Sequence, residues 1–389
     1  MAGRFVQDIA ELTRLGEAWN TLCLSQPRPT PMLTWDWADA WWRVYGAPNR
    51  NLSLSVWVYE ENGKVLGLFP LYRIDTGHGA VFRPIGTGER EEDAVCSDYI
   101  APLFAGSDEG VKNALTSDLA ALLTRGSDTL LLSDLASEDP WNVSLAETLR
   151  SRPLSVRRTG GSTCAYLPLP KTYDEFFSSL SSNFRTQLRQ GERSLKALGG
   201  VEFHRIERTE DIGPFWEDLV RLHQKRWNAV GRPGVFSSPL FTEFHREIVE
   251  RYTRRGWLDG LVLYTNGQPM AVVYSYRIGG TIFLYQSGLE TELPPKVRPG
   301  LQLHLEVIRQ GIVRGDREYD FMRGDDRYKK QFTESSRSLF HVEAGRPTPR
   351  RTLRFLSISA RERIKGILPD SVLRSIRTVR RSLRSRSDP

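Results

Sequence analysis

Three features of this 389-residue sequence predict an α/β (α+β) protein of two tandem units, each a mixed, mainly antiparallel sheet flanked by helices. The first is an order of segments that occurs twice: proline, aromatic helix, glycine stop, strand, Asn-Gly, strand. It runs from Pro31 through Trp37, Trp41 and Gly46 to Asn62-Gly63, and again from Pro239 through Phe241, Phe244 and Gly256 to Asn266-Gly267. The two Asn-Gly pairs lie 204 residues apart, about half the chain, as an ancient duplication would leave them. The second is length, which is too great for one ordinary domain and enough for two that each bury a core. The third is composition: 39% hydrophobic and 10% aromatic residues supply those cores, and most of the ten tryptophans belong there.

In chain order, Leu12, Leu15, Trp19 and Leu22 recur at helical spacing over 6–24, and Pro27, Pro29 and Pro31 end that run. Thr34 is placed to cap a helix bearing Trp37, Ala38, Trp41, Trp42 and Tyr45, stopped by Gly46. Strands at 52–59 and 65–72 flank Asn62-Gly63, the preferred type I′ hairpin pair. A helix at 111–123, a strand at 129–132 and a helix at 144–150 complete residues 1–156 as the N-terminal unit. Arg157 to Thr163, with two Arg and two Gly, marks a linker over 157–172. The C-terminal unit, 173–344, opens with a short helix at 173–180. A helix capped by Asn183 follows, stopped at Gly199-Gly200, then a strand at 201–206 and a helix at 212–228. After the repeated segment, Gly279-Gly280 turns into a third strand at 281–287, Arg298-Pro299-Gly300 opens a helix, and 318–322 is the last strand.

The net charge of +7 divides unevenly. Residues 345–389 hold thirteen Lys and Arg against three Asp and Glu, or +10, which leaves −3 for the body. In that tail Val372, Leu373, Ile376, Val379 and Leu383 share a helical face ringed by arginines, the pattern of a helix lying on an anionic membrane; a disordered basic tail fits equally. DNA is not expected as a partner. Cys23, Cys96 and Cys164 form no C-x-x-C pair, and the histidines fit no metal spacing, so neither a disulfide framework nor a metal cofactor is expected. No apolar run of about 18 residues spans a bilayer, and Met1 to Phe5 lack a signal-peptide core, so the expected setting is cytoplasmic and reducing, with a possible place at the inner membrane face.

The chemistry concentrates between Leu258 and Lys330. Asp320, Asp325 and Asp326 are candidate bases; an inward Asp320 needs a cationic partner, for which Arg323 and Lys329 are the neighbours in sequence. His223 and Arg226 lie three apart on one helix, next to Trp227. Arg185, Arg189 and Arg193 recur every four residues, as a solvated stripe or a surface for an anionic acceptor.

Ser181-x-x-Phe184-Arg185-x-x-Leu188-Arg189, His223-x-x-Arg226-Trp227, Phe236, Asn266-Gly267 to Ala271, Tyr285-x-x-Gly288, Pro299-Gly300-Leu301 and Asp320-Phe321-x-Arg323-Gly324 leading to Tyr328-Lys329 occur in this order. Through them residues 173–342 resemble the CelD-like acetyltransferases associated with cellulose and exopolysaccharide biosynthesis, within the GNAT superfamily and close to Fem-type aminoacyltransferases. The resemblance implies two GNAT-like units, the first degenerate. It implies an acyltransferase taking an acetyl or other acyl group from coenzyme A to an amine or hydroxyl of a small molecule or glycan precursor. It assigns the cofactor to Gly300, Leu301, Gln302, Ser287 and Gly288. Proton transfer goes to Tyr328 or Tyr285, base catalysis to Asp320 and oxyanion stabilisation to Lys329. The acceptor pocket goes to His223, Arg226, Trp227, Phe236 and Arg323. The rivals are aminoacyl transfer from tRNA and a non-catalytic scaffold held to a membrane by the tail.

Overall fold

The computed structural model describes residues 3–124, 127–324, 326–349, 351–353 and 355. The amphipathic tail segment and Asp325 lie outside them.

Local chemistry sets the elements of the first unit. Asp8 caps the helix Ile9–Leu24 by accepting from the Ala10 N–H, and Thr34 caps Trp35–Trp41 by accepting from the Trp37 N–H. Asn62 and Gly63 both take positive φ, 51° and 73°, as a type I′ turn requires. The two strands of this hairpin are each interrupted, at Ser55 and at Pro70, which has no N–H to give a ladder. Their outer halves, Val56–Glu61 and Lys64–Phe69, join a four-stranded sheet with Arg4–Val6 and Leu103–Phe104; their inner halves, Leu52–Leu54 and Leu71–Asp75, edge a sheet of eleven strands.

That large sheet runs Val201–Arg205, Leu261–Thr265, Gln268–Ile278, Thr281–Leu289, Glu318–Arg323, Ser155–Pro168, Ser336–Gly345, Thr129–Ala136, Ala80–Pro84, Leu71–Asp75, Leu52–Leu54. It is mixed and mainly antiparallel, with two parallel pairs. The stretch expected to be a linker is corrected here: most of 157–172 is the strand Ser155–Pro168 in the middle of the sheet. Gly161 serves the pairing. A Cβ on Gly161 would stand 3.0 Å from the Leu339 carbonyl of the neighbouring strand, beside the register shift between Ser338 and Phe340. This strand pairs with Glu318–Arg323 of the second unit, while Ser336–Gly345, the last strand of the second unit, pairs with Thr129–Ala136 of the first. Ser181, rather than Asn183, caps the helix Ser182–Lys196.

Each unit contains one parallel pair that separates after a few residues. In the first, Ala80–Pro84 and Thr129–Ala136 pair only at Val81–Thr129 and Phe82–Leu130. The opening is filled: Ile100 bridges to Leu135, and the Asn142 amide donates to the carbonyls of Ile100 (3.0 Å) and Ala136 (3.2 Å). In the second, Thr281–Leu289 and Glu318–Arg323 pair only over 281–283 with 318–320 and then part. Between the units lies an aromatic core in which Trp37 meets the rings of Phe244, His245, Tyr276 and Tyr285 at centroid distances of 4.8 to 6.0 Å.

Candidate active site

The open pair makes the site. Opposite Gln268–Ile278, the register jumps between Tyr274 and Ser275, so Tyr285 is the extra residue of a β-bulge just past the last parallel contact at Phe283. Beyond it, the edge of Thr281–Leu289 that faces Glu318–Arg323 has no strand partner among the described residues. Two clefts follow this edge. One, of about 430 Å³, runs from Ser287 and Leu289 to the start of the helix Pro299–Val313, with Arg226, Arg298, His304, Arg327, Tyr328 and Gln331 around it. The other, of about 220 Å³, holds Cys96, Asp98, Trp227, Arg323, Asp326 and Lys329. Arg226, Ser287 and Tyr328 line both, so the two clefts meet there.

At the far end of the larger cleft, Pro299 occupies the first helical position, no side chain caps the helix, and the N–H groups of Gly300 and Leu301 have no partner among the described residues. A Cβ on Gly300 would fall 2.7 Å from Leu289 Cδ2, the end of a side chain that can turn aside, so the glycine leaves the helix start open without being demanded by backbone contact. Arg298 and Arg327 line this end with no ion-pair partner among the described residues, and Glu290 is neutralised by Lys225 at 2.6 Å. Gln302, expected beside Gly300, faces elsewhere. Two residues further is about 200° around a helix, and its amide donates to the Leu188 carbonyl (2.8 Å), fastening this helix to Ser182–Lys196. Gly288 is likewise a packing residue: a Cβ would stand 2.6 Å from His223 N, so it lets the helix Ile212–Asn228 lie on the strand. Ser287 does face the site and accepts from Arg226 Nη1 at 3.2 Å.

At the junction, Tyr328 stacks on His304 with centroids 5.1 Å apart and 15° between planes. Burial raises the Tyr328 phenol well above its ordinary pKa, so the hydroxyl keeps its proton. His304, bonded through Nδ1 to the Tyr319 hydroxyl at 2.8 Å, is pushed down to about 3 by burial and by the charges of Lys329 and Arg226, and is neutral. Lys329 is buried. Its Nζ donates to the carbonyls of Arg323 (2.7 Å) and Met322 (3.3 Å), and Asp326 Oδ2 lies 3.7 Å away. Desolvation lowers its pKa.

Several expected site residues are placed otherwise. Asp320 is fully buried and lines neither cleft; its partners are Arg28 and Tyr99 of the first unit, the Met322 N–H and, at 3.6 Å, Arg337 Nη1, not Arg323 or Lys329. Both carboxylate oxygens are thus engaged within the protein. Tyr285 lines the smaller cleft, but its hydroxyl donates to the Val95 carbonyl and bonds His245 Nε2 at 2.8 Å. His223 and Phe236 line neither cleft: the two rings meet edge-on at 4.9 Å in the core, and burial lowers His223 to about 4. Arg226 and Trp227 do line the smaller cleft, as does Arg323, whose guanidinium is held by Asp98 and by Asp134 at 3.2 Å. Of the arginine stripe, Arg185 is tied to the carbonyls of Ser178 and Leu180, while Arg189 lies over the Phe177 ring.

Sequence reasoning missed His304, Arg298 and Arg327 at the larger cleft and Cys96 and Asp98 at the smaller. His304 was within reach, since it lies one helical turn beyond Gly300 on the same face. Nothing in the sequence brings Cys96 and Asp98 across from the other unit. Among the described residues no His, Cys, Asp and Glu are grouped to hold a metal ion, and no helix is long and apolar enough to cross a membrane.

Residues 182–330 match the family model described as an acetyltransferase (GNAT) domain. No curated protein matches the chain. Among solved structures, FemX aligns with a TM-score of 0.58 at 10% identity, over 84% of this chain and 95% of its own. A conserved protein of unknown function from Bacteroides thetaiotaomicron aligns at 0.55 and 11% identity, over 87% and 98%. The C-terminal domain of a putative lysylphosphatidylglycerol synthetase from Agrobacterium fabrum aligns at 0.51 and 11% identity, over 89% and 96%. At such identities the likeness speaks for the fold, shared along nearly the whole chain. The match of residues 182–330 to a GNAT acetyltransferase domain makes this protein an acyltransferase enzyme.

Proposed function

We propose that this enzyme moves an acyl group, acetyl in the first instance, from coenzyme A to an amine or hydroxyl of a small molecule or glycan precursor, as an enzyme of the CelD-like kind would in exopolysaccharide biosynthesis. The observation that carries the reading is the unpaired edge of Thr281–Leu289, with unpartnered N–H groups and arginines at one end and a buried ammonium at the other. A diphosphate suits the start of the helix Pro299–Val313, where the dipole, the Gly300 and Leu301 amides, Arg298 and Arg327 all favour an anion. The pantetheine arm then follows the strand edge towards the bulge at Tyr285 and Ser287.

The acceptor enters the smaller cleft. Its nitrogen or oxygen bonds to the thioester carbon, the carbonyl becomes an oxyanion, and the Lys329 ammonium stabilises that charge. The C–S bond then breaks and the thiolate takes the Tyr328 proton, while the acceptor gives up its own proton. With Asp320 sequestered, Asp326 is the carboxylate at the cleft suited to receive it. We take 1–156 as the degenerate unit and 173–344 as the catalytic one. We assign the enzyme to the cytoplasm, with its basic tail available to an anionic membrane surface.

The fold shared with FemX favours one second reading, an aminoacyl donor carried on tRNA. The −3 charge of residues 1–344 offers a nucleic acid little. Isothermal titration with acetyl-CoA separates the readings. Wild type is expected to bind, and Gly300→Trp, which fills the helix start, to lose about tenfold or more in affinity. No heat from either protein would overturn the coenzyme A reading and favour the aminoacyl donor or a non-catalytic scaffold.

A further inference from the structure

The two oxygens of Asp320 have separate duties. Oδ2 receives the Arg28 guanidinium and the Tyr99 hydroxyl (2.6 Å), both from the first unit, with Arg337 Nη1 at 3.6 Å. Oδ1 accepts the Met322 N–H at 2.6 Å, the local bond by which an Asp folds the backbone two residues on. Met322 is buried with φ of +56°, a conformation a side-chain-bearing residue holds only when its surroundings impose it. The register of Glu318–Arg323 against Ser155–Pro168 shifts at this point, between Asp320 and Arg323. The turned backbone gives the Met322 and Arg323 carbonyls to Lys329 Nζ. The first unit grips the next residue too, since Asp98 Oδ2 accepts the Arg323 N–H at 3.2 Å.

We propose that the first unit places the Lys329 ammonium: Arg28 and Tyr99 fix Asp320, Asp320 bends the chain at Met322, and the bend presents the two carbonyls that hold Nζ at the junction of the clefts. Asp320 is then a positioning residue, and the first unit, whose own strand opening is filled, is a working part of its neighbour's site. The inference rests on the reading of Lys329 as the oxyanion-stabilising group. Asp326, Asp320, Asp98 and Cys164 bear on that ammonium as anions or potential anions, while burial opposes its charge. Among the described residues, His304, Tyr328, Tyr285, Cys96, Arg226 and Arg323 are further ionisable groups around it.

The test uses the full-length protein with 13Cε-labelled lysine, so that Lys329 is titrated by NMR independently of turnover and assigned by its absence in Lys329→Ala. A protonated Lys329 is needed for catalysis, so wild-type kcat falls on the alkaline side as Lys329 loses its proton. Asp320→Asn removes a nearby negative charge; it is expected to move both the NMR titration and the alkaline limb to lower pH. The same variant lowers kcat about tenfold or more, with KM for acyl-CoA within about twofold of wild type. Arg28→Met leaves the Asp320 charge uncompensated and moves both to higher pH, and Arg28→Lys restores them. Should Arg28→Met fail to fold, Asp320→Asn and Arg28→Lys, both close in shape to the native side chains, suffice: the first moves the titration and the second does not. A Lys329 titration that stays in place in Asp320→Asn overturns the placement. A titration that moves as expected while Lys329→Ala retains full turnover supports the placement and removes the catalytic reading of Lys329 instead.

Discussion

His223 and His304 are both buried and both held neutral, at about 4 and about 3, by loss of hydration. An unfolded histidine titrates near 6.5. Below that pH the unfolded chain takes up protons that the folded chain refuses, so stability is unaffected above about pH 6.5 and falls as pH drops towards 4. The loss is on the order of a few kcal/mol across that window. Urea unfolding at pH 7.5 and pH 5 is expected to show it, and His223→Gln to make the difference between the two pH values smaller. An unchanged difference would mean that His223 is not held neutral. Of the residues expected at the site, Gly300, Leu301, Ser287, Arg226, Trp227, Arg323, Tyr328 and Lys329 line one of the two clefts along the open strand edge. Gln302, Gly288, His223 and Phe236 line neither of these two clefts, because neighbours in sequence share a site only when the local geometry turns them the same way. Asp320 shows the harder case, since its partner Arg28 lies 292 residues away.

Helices and hairpins were read well where their signals are local: Thr34 as a cap, Asn-Gly pairs as turns, Gly256 as a left-handed stop. The strand Ser155–Pro168 was not, since its Arg and Gly residues look like a linker until an adjacent strand explains them. The bulge at Tyr285 carries no residue signature either. Gly288 lies between these cases, an expected cofactor contact that proved to set the distance between strand and helix. Gly288→Ala puts a methyl 2.6 Å from backbone, so the helix Ile212–Asn228 must move, at a cost of about 1–3 kcal/mol. The same movement carries Arg226 away from Ser287 and raises KM for the donor. Urea unfolding and initial rates check both, and a variant of native stability and KM would show that the helix is not held by this contact.

At the scale of the whole molecule, the two units expected from the repeated segment order do not stand apart, because each gives its final strand to the other. The first filled its own opening with Ile100 and Asn142, and its neighbouring residues Cys96 and Asp98 wall the cleft of the second. The donor site is therefore expected in one place only, the open edge from the bulge to the start of the helix Pro299–Val313. Hydrogen exchange with and without acetyl-CoA tests this most directly. Protection is expected at the amides of 284–289 and at Gly300 and Leu301, with 80–84 and 129–136 unchanged. Protection absent from that edge, or confined to the groove between Arg189 and Gln302, would contradict it.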